Sequence, residues 1–112
     1  MVMTLSENVL VIFSIAASEE AERVAKVLVG KRIAACMSML GPIKSIYWWK
    51  NRIEESEEYL LLIKTTQDKY EELERAIKEI HSYQVPEILA TPVMSALREY
   101  VEWLREEVSK SD

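Results

Sequence analysis

The sequence predicts an α+β fold in which amphipathic helices cover an antiparallel sheet. Short apolar runs, partly β-branched, alternate with segments whose apolar residues recur at helical spacing. The succession of these segments mixes single helices with consecutive strands, as α+β folds do. A chain of 112 residues is long enough for one core but not for two, so we expect residues 1–112 to form a single domain.

The first half of the chain predicts a helix between two strands. Val9–Phe13 is short, apolar and uninterrupted, which is typical of a strand buried on both faces. Ser18 is placed to cap the start of a helix, and Gly30 is placed to cap its end. A second strand is expected from Ile33 to Leu40.

A long hairpin is predicted next. Gly41-Pro42 breaks the apolar pattern, and Ile43–Lys50 resumes it as a third strand that ends in a turn at Asn51-Arg52. Glu57–Thr65 is the strand that follows. By alternation, one face of the third strand carries Ile43, Ser45, Tyr47 and Trp49.

A helix, a strand and a last helix complete the pattern. The apolar stripe of the first of these helices is Tyr70, Leu73, Ile77 and Ile80. Glu87–Val93 is the strand, and the stripe of the last helix runs from Leu97 to Val108. These segments include five strands, one more than the ferredoxin-like order β-α-β-β-α-β, but that arrangement with an added terminal helix is the one we predict. In it, two helices cover one face of an antiparallel sheet.

Apolar residues on the other face of this sheet predict self-association. Tyr47, Trp48 and Trp49 follow one another in one strand, so large side chains point to both faces. An uncovered apolar face of that size is an aggregation hazard in a monomer. We therefore expect a homo-oligomer.

Composition and charge exclude several partners and favour the cytoplasm. The net charge of −5 disfavours nucleic acid and an anionic membrane surface, because both require clustered Lys and Arg. Cys36 is the sole cysteine, Met1–Asn8 lacks the features of a signal peptide, and no apolar run approaches the length of a membrane span. Glutamate far outnumbers aspartate alongside many Lys and Arg, which favours a thermophilic source.

The segment from His81 to Leu89 is the first place to look for chemistry, because it holds the sole histidine at a junction of helix and strand. One hypothesis is a metal site of Cys36 and His81, with the Met37 and Met39 thioethers. Thiolate, imidazole and thioether ligands together suit copper. The alternative is that Cys36 and the methionines only fill space in the core.

Two other hypotheses concern His81 and the charged rim of the fold. Cys36 with His81 as base would make a nucleophile, and His81 with Glu87 an acid–base pair. The alternative is that His81 ends its helix and pairs with a carboxylate.

An anionic ligand would need Lys64, Arg32 or a helix N-terminus, since the chain has no glycine-rich loop. Tyr47–Trp49 either stacks on a ligand or serves packing.

Five motifs in register resemble the CutA proteins, the divalent-cation tolerance family, from about Val9 to Leu104. The motifs are Ala34-Ala-Cys36, Ser45-Ile-Tyr-Trp-Trp49, Ile63-Lys-Thr-Thr66, His81-x-Tyr83-x-x-Pro86-Glu87 and Tyr100-x-x-Trp103-Leu104. The resemblance implies a ferredoxin-like subunit in a tight homotrimer, similar to the PII signalling proteins, with clefts between subunits. It also implies tolerance of copper and other divalent ions, and no enzymatic activity.

The resemblance assigns roles to six residues of this sequence. Cys36 and His81 match positions proposed to bind metal, and Tyr83 and Glu87 belong to the same signature. Trp49 and Lys64 match positions near the intersubunit cleft, and Tyr83 and Glu87 are expected to take part in the same ligand cleft.

Two positions depart from the pattern of copper-binding members. Phe13 stands where such members can carry a cysteine, and Ile80 stands where they can carry a second histidine.

The sequence as a whole predicts a cytoplasmic, homotrimeric CutA-like protein that responds to or binds copper or another divalent metal ion. It is expected to act without catalysis and without an obligatory cofactor. The alternative is a PII-like signalling module whose intersubunit cleft takes a small anionic ligand or a partner's loop.

Overall fold

The computed structural model describes residues 9–81 and 85–110, which form a four-stranded antiparallel sheet and three α-helices. The strands are β1 (Val9–Ala16), β2 (Cys36–Trp49), β3 (Arg52–Thr66) and β4 (Ile88–Pro92). The helices are α1 (Ser18–Gly30), α2 (Tyr70–Ile80), which follows a 3₁₀ turn, and α3 (Arg98–Ser109). The strand order β2-β3-β1-β4, antiparallel throughout, confirms the predicted ferredoxin-like arrangement with a terminal helix.

Helices α1 and α2 cover one face of the sheet. Their apolar residues pack on alternate residues of β1 and β3, which removes the large side chains of this layer from water. The residues of this core are Ile12, Ala16, Ala21, Val24, Leu28, Ile33, Ala34, Leu61, Ile63, Leu73 and Ile77. The alternation in β1 and β3 fixes which side chains face the other way.

Helix α3 lies on the opposite face of the sheet, at the end where β1 begins. Its Val101 and Leu104 are buried against Val9. Arg32 binds the C-terminal end of α3, because its Nη1 donates a hydrogen bond of 2.7 Å to Oε1 of Glu107. Hydrogen bonds from Arg32 and Lys110 hold the pKa of Glu107 below its usual value.

The rest of that second face is apolar and incompletely covered within one subunit. We call the whole of this second face the open face; its apolar centre is formed by Phe13, Ile15, Leu40, Leu60, Leu62 and Leu89. Leu40 is 49% exposed and Leu89 is 60% exposed. Two helices therefore cover only one face, as predicted, while self-association through the open face stays a prediction.

The prediction of separate strands at Ile33–Leu40 and Ile43–Lys50 is wrong, because β2 runs unbroken through Gly41-Pro42. The two residues form a bulge: Leu40 pairs with Leu60 before it, and Ile43 pairs with Glu58 after it. A bulge adds one residue to a strand without ending it. The glycine and proline therefore mark a shift in register where the sequence suggested a break.

The bulge decides which side chains of β2 reach the open face. Even-numbered residues of β2 lie on it before the bulge and odd-numbered residues lie on it afterwards, because β3 continues with unchanged alternation. We call residues 43–58 the arm. With 15 residues at about 3.3 Å each, β3 accounts for the longest dimension of the molecule, 50 Å.

Four local predictions shift by a residue or more. Ala17 takes the N-cap position of α1 where Ser18 was expected, and the helix ends at Gly30 with Lys31 as its cap. The hairpin turn is Lys50–Asn51, and both residues have positive φ, as a two-residue turn of this type requires. Arg52 therefore already belongs to β3, which starts five residues earlier than predicted.

Gly41→Ala is expected to destabilise the fold. A Cβ at position 41 would lie 2.5 Å from Cδ2 and 2.8 Å from Cγ of Tyr59, whose half-buried ring packs on the core. Forcing such an overlap typically costs about 1–3 kcal/mol. Chemical denaturation monitored by circular dichroism checks the value, and Gly30→Ala is the control because position 30 has open space. An unchanged midpoint for Gly41→Ala would contradict the contact.

Candidate functional site

A cavity of about 730 Å³ lies where the arm, β1 and the segment before β4 meet. Its lining residues are Ile15, Ser45, Ile46, Tyr47, Trp49, Glu58, Val85 and Glu87. The segment before β4 is fixed against β1, because Ser14 Oγ donates to the backbone oxygen of Glu87 over 2.6 Å. We call this space the arm cavity; its volume lies in the range typical of small-ligand sites.

The register shift at the bulge brings the aromatic residues of the arm to this cavity. Ser45, Tyr47 and Trp49 share the open face with Glu58, as predicted by alternation for the β2 residues. The Tyr47 hydroxyl lies 2.7 Å from Oγ of Ser56 on the neighbouring strand, which fixes the phenol. Tyr47 and Trp49 are each 39% exposed, so part of each ring surface remains accessible in one subunit.

The charges among the described lining residues of the arm cavity are both negative. Glu58 is buried, with 3% of its surface exposed, and Glu87 is exposed. Arg52 pairs with Trp49 at the tip of the arm but does not belong to the lining set. Two carboxylates beside apolar and aromatic walls make this a site of negative potential.

Cys36 and Lys64 lie at the other end of the open face, beneath α3. They are direct partners across β2 and β3, and the Lys64 ammonium donates to Ser38 Oγ over 3.0 Å. The Cys36 sulfur lies 3.5 Å from the Tyr100 hydroxyl. Burial and the hydrogen bond with Cys36 raise the pKa of Tyr100 to about 12, so this phenol is protonated at neutral pH.

His81 lies at the end of α2, on the edge of the helix-covered core. Its ring Nε2 lies 2.5 Å from the backbone oxygen of Ile15, and its Nδ1 lies 3.4 Å from Oε2 of Glu20 on α1. The imidazole is 1% exposed. The alternative interpretation of His81, as a helix-ending residue beside a carboxylate, is confirmed.

The structure brings Trp49 and Glu87 together in the arm cavity, but Lys64 lies elsewhere. Lys64 lies six positions along β3 from Glu58, which is about 20 Å at about 3.3 Å per residue. Tyr83 lies outside the described residues.

Cys36 and His81 do not share a site within one subunit. Cys36 pairs with Lys64 of β3, and Lys64 pairs in turn with Val11 of β1. The ring of His81 contacts Ile15, which lies four positions, or about 13 Å, further along β1. In residues 9–81 and 85–110 the structure has no group of three or more His, Cys, Asp or Glu side chains arranged to hold a metal ion. A shared site of these two side chains would therefore have to join different subunits.

The sequence interpretation missed Glu58 and Tyr100. Glu58 belongs to a run of glutamates that resembles a solvated surface. The position of the hairpin turn, however, indicates which face of the arm Glu58 lies on. Counting back from the Lys50–Asn51 turn pairs Glu58 with Ile43 on the face of Ser45 and Tyr47. Tyr100 contacts Cys36 across 64 positions of sequence, and no local pattern reveals such a contact.

Among the helices that the structure describes, none has the length and apolar character needed to cross a membrane.

Comparison with known proteins places this fold and these motifs in one class. The model of the family described as CutA1 divalent ion tolerance protein matches residues 9–107. The divalent-cation tolerance protein CutA of Thermus thermophilus is 42% identical over 96 residues, which are 86% of this chain and 93% of that one. The family match covers all four strands and α3 as far as residue 107.

Solved structures agree with the sequence matches. One from Archaeoglobus fulgidus, called a periplasmic divalent cation tolerance protein CutA, superposes with a TM-score of 0.86 at 40% identity and covers 89% of this chain and 98% of that one. A protein from Nostoc sp., called a PII-like protein CutA, gives a TM-score of 0.83 at 32% identity over 88% of this chain and 96% of that one. The fold is thus of the PII-like α+β class. Within it, this chain belongs to the CutA1 divalent ion tolerance protein family.

Proposed function

We propose that this protein acts in tolerance of divalent cations as a homotrimer that binds copper or another divalent metal ion, without catalysis and without an obligatory cofactor. The observation that carries the proposal is the family match along residues 9–107. All 112 residues would act as one domain in the cytoplasm, with no nucleic acid or membrane partner. A thermophilic source likewise stays a prediction from composition.

The position of Cys36 supports metal binding more than the position of His81 does. Cys36 is half-buried on the open face, where its sulfur makes one long hydrogen bond among the described residues, with the Tyr100 hydroxyl. The His81 ring is enclosed, and both of its nitrogens face oxygen atoms of the chain. A metal ion would have to replace these contacts at His81, whereas at Cys36 it would replace one long hydrogen bond.

The separation of Cys36 from His81 supports a function without catalysis. A cysteine nucleophile requires a base within hydrogen-bond reach, and about 13 Å of strand lies between the levels of these two residues. The predicted Cys36–His81 pair therefore has no geometric support within one subunit.

Calorimetric titration of the purified assembly with Cu²⁺, Zn²⁺ and Ni²⁺ tests the metal proposal. We expect stoichiometric binding of at least one of these ions. Cys36→Ser and His81→Gln should each weaken it at least about tenfold, because each removes a soft or borderline ligand. Glutamine at position 81 retains a donor for the Ile15 backbone oxygen, so this variant separates ligand loss from loss of folding.

Glu22→Gln is the control, because it removes an exposed carboxylate of α1 that is not one of the two proposed ligands. An unchanged affinity in Cys36→Ser would exclude Cys36 as a ligand. If no ion binds more tightly than the micromolar range, the metal-binding part of the proposal is wrong, while membership of the family is unaffected.

A second candidate function is a PII-like binding module whose cleft takes a small ligand. The arm cavity favours it, because Trp49 and Glu87, both expected near an intersubunit cleft, line one space of about 730 Å³. Lys64, the cation expected to bind an anionic ligand there, is held at the other end of the open face.

A further inference from the structure

We propose that the arm cavity binds a small organic cation, an alkylated or primary amine with an apolar body, through Trp49, Tyr47 and the carboxylates of Glu58 and Glu87. This inference rests on the second candidate function, since it names the ligand class of the same cavity. It replaces the anionic ligand expected from the sequence.

Charge complementarity is the first argument. The two ionisable carboxylates in the described lining of the cavity are Glu58 and Glu87, and the Lys and Arg side chains that the structure describes lie outside that lining. An anionic ligand would meet like charge in a partly desolvated space, and this repulsion disfavours its binding. A cation would meet two opposite charges there.

The walls of the cavity are the second argument. Tyr47 and Trp49 offer aromatic rings on the open face, and Ile15, Ile46 and Val85 add apolar surface. An ammonium group over an aromatic face is attracted by the ring quadrupole, and Trp is the strongest such partner. Aromatic faces combined with carboxylates are the usual recognition elements for alkylated amines.

Size and ligand number distinguish an organic cation from a bare metal ion. A divalent metal ion in a protein takes four or more coordinating atoms at short distance. The described lining has two side chains of the metal-binding types, Glu58 and Glu87, and no group of three or more His, Cys, Asp or Glu side chains in residues 9–81 and 85–110 is arranged to hold a metal ion. The volume, about 730 Å³, also far exceeds that of an ion and suits a molecule with carbon atoms to bury.

Contacts at the end of β1 hold one wall of the cavity in place. The Ile15 backbone oxygen lies against the His81 ring, while the Ile15 side chain lines the cavity. The next residue back, Ser14, holds the segment of Glu87. The end of β1 thus fixes one wall from the core side, and a preformed wall lowers the entropic cost of binding.

Calorimetric titration with choline and with 3,3-dimethylbutan-1-ol tests the proposal on the assembled protein. The two molecules have the same shape, but only choline is charged. We expect choline to bind and its neutral counterpart to bind at least about tenfold more weakly, the difference that a desolvated cation–π contact and two carboxylates supply. ATP and citrate serve as anionic probes and are expected not to compete.

Matched variants locate the binding. Glu87→Gln and Trp49→Leu are each expected to weaken choline binding about fivefold to thirtyfold. Glu58→Gln should weaken choline binding by a similar factor. If the buried position 58 does not tolerate glutamine and the variant fails to fold, Glu87→Gln still tests the role of the carboxylates. Glu57→Gln is the control: it removes the same charge from the neighbouring residue, which pairs with Lys44 on the other side of the arm.

The outcomes separate this inference from the function on which it rests. Binding of ATP or citrate that Trp49→Leu abolishes would support a PII-like ligand cavity but overturn the cationic ligand. Equal binding of choline and its neutral counterpart would overturn the cationic ligand as well. If no probe binds at millimolar concentration, as when a second copy of the chain fills the cavity, both the inference and the second candidate function are wrong.

Discussion

Replacing Trp48 with glutamate is expected to convert the assembled protein into monomers at micromolar concentration. Trp48 is 72% exposed in the subunit and pairs across the arm with Ile53, which is 62% exposed. Ile46, two residues back on the same side, is 64% exposed. A protruding strand pair with this much apolar surface is typical of an interface, so the proposed homotrimer should bury it.

The expected loss of association free energy follows from replacing a large aromatic side chain with a charged one. A buried interface tryptophan typically contributes about 2–4 kcal/mol to association, and a glutamate in its place adds the cost of burying a charge. Sedimentation velocity of wild type and variant measures the change in mass directly. Far-UV circular dichroism should show that the subunit fold persists, because Trp48 lies outside both hydrophobic cores.

Val29→Glu is the matched control for this prediction. Val29 is also an exposed apolar residue, at 40%, but it lies on α1 and far from the arm in the fold. The same change there should leave the mass unchanged. A wild-type protein that sediments as a monomer would contradict the proposed assembly, and a Trp48→Glu variant of full mass would exclude the arm from its interface.

The fold was predictable from sequence because its elements obey two simple periods. Residues such as Leu73 and Ile77 recur at helical spacing, and the apolar runs of β1 and β3 are short and bounded. The boundary in β2 was not predictable in the same way. Gly41-Pro42 signals a break to any local interpretation, whereas the pairing with β3 allows it to be absorbed as a bulge.

The candidate site was predictable only in part, for a related reason. Trp49 and Glu87 were expected at one cleft, and both line the arm cavity. The choice of Cys36 and His81 as joint ligands depended on residue type and on the family resemblance, and neither shows that one lies under α3 and the other at the end of α2. Distances between elements depend on register and layer, which the sequence leaves open.

Leu61→Ala is expected to lower the free energy of unfolding by about 2–5 kcal/mol, the usual cost of deleting three carbons from a close-packed core. Leu61 is fully buried in the middle of β3, between its pairing partners Ser14 and Met39 and beneath α1 and α2. Urea denaturation followed by circular dichroism measures the loss. A change below about 1 kcal/mol would contradict the close packing of this layer.

Leu62→Ala makes the same chemical change one residue along, on the opposite side of β3, and so separates folding from assembly. Leu62 is half-buried on the open face of the subunit. If the open face is buried between subunits, the cost of Leu62→Ala should be largest where both proteins are assembled and should shrink as dilution dissociates the subunits, because the lost contacts stabilise association. The cost of Leu61→Ala should be independent of concentration. A small cost at Leu62 that does not change with concentration would mean that the open face remains exposed to water, and the proposed homotrimer would then have to form through the arm alone.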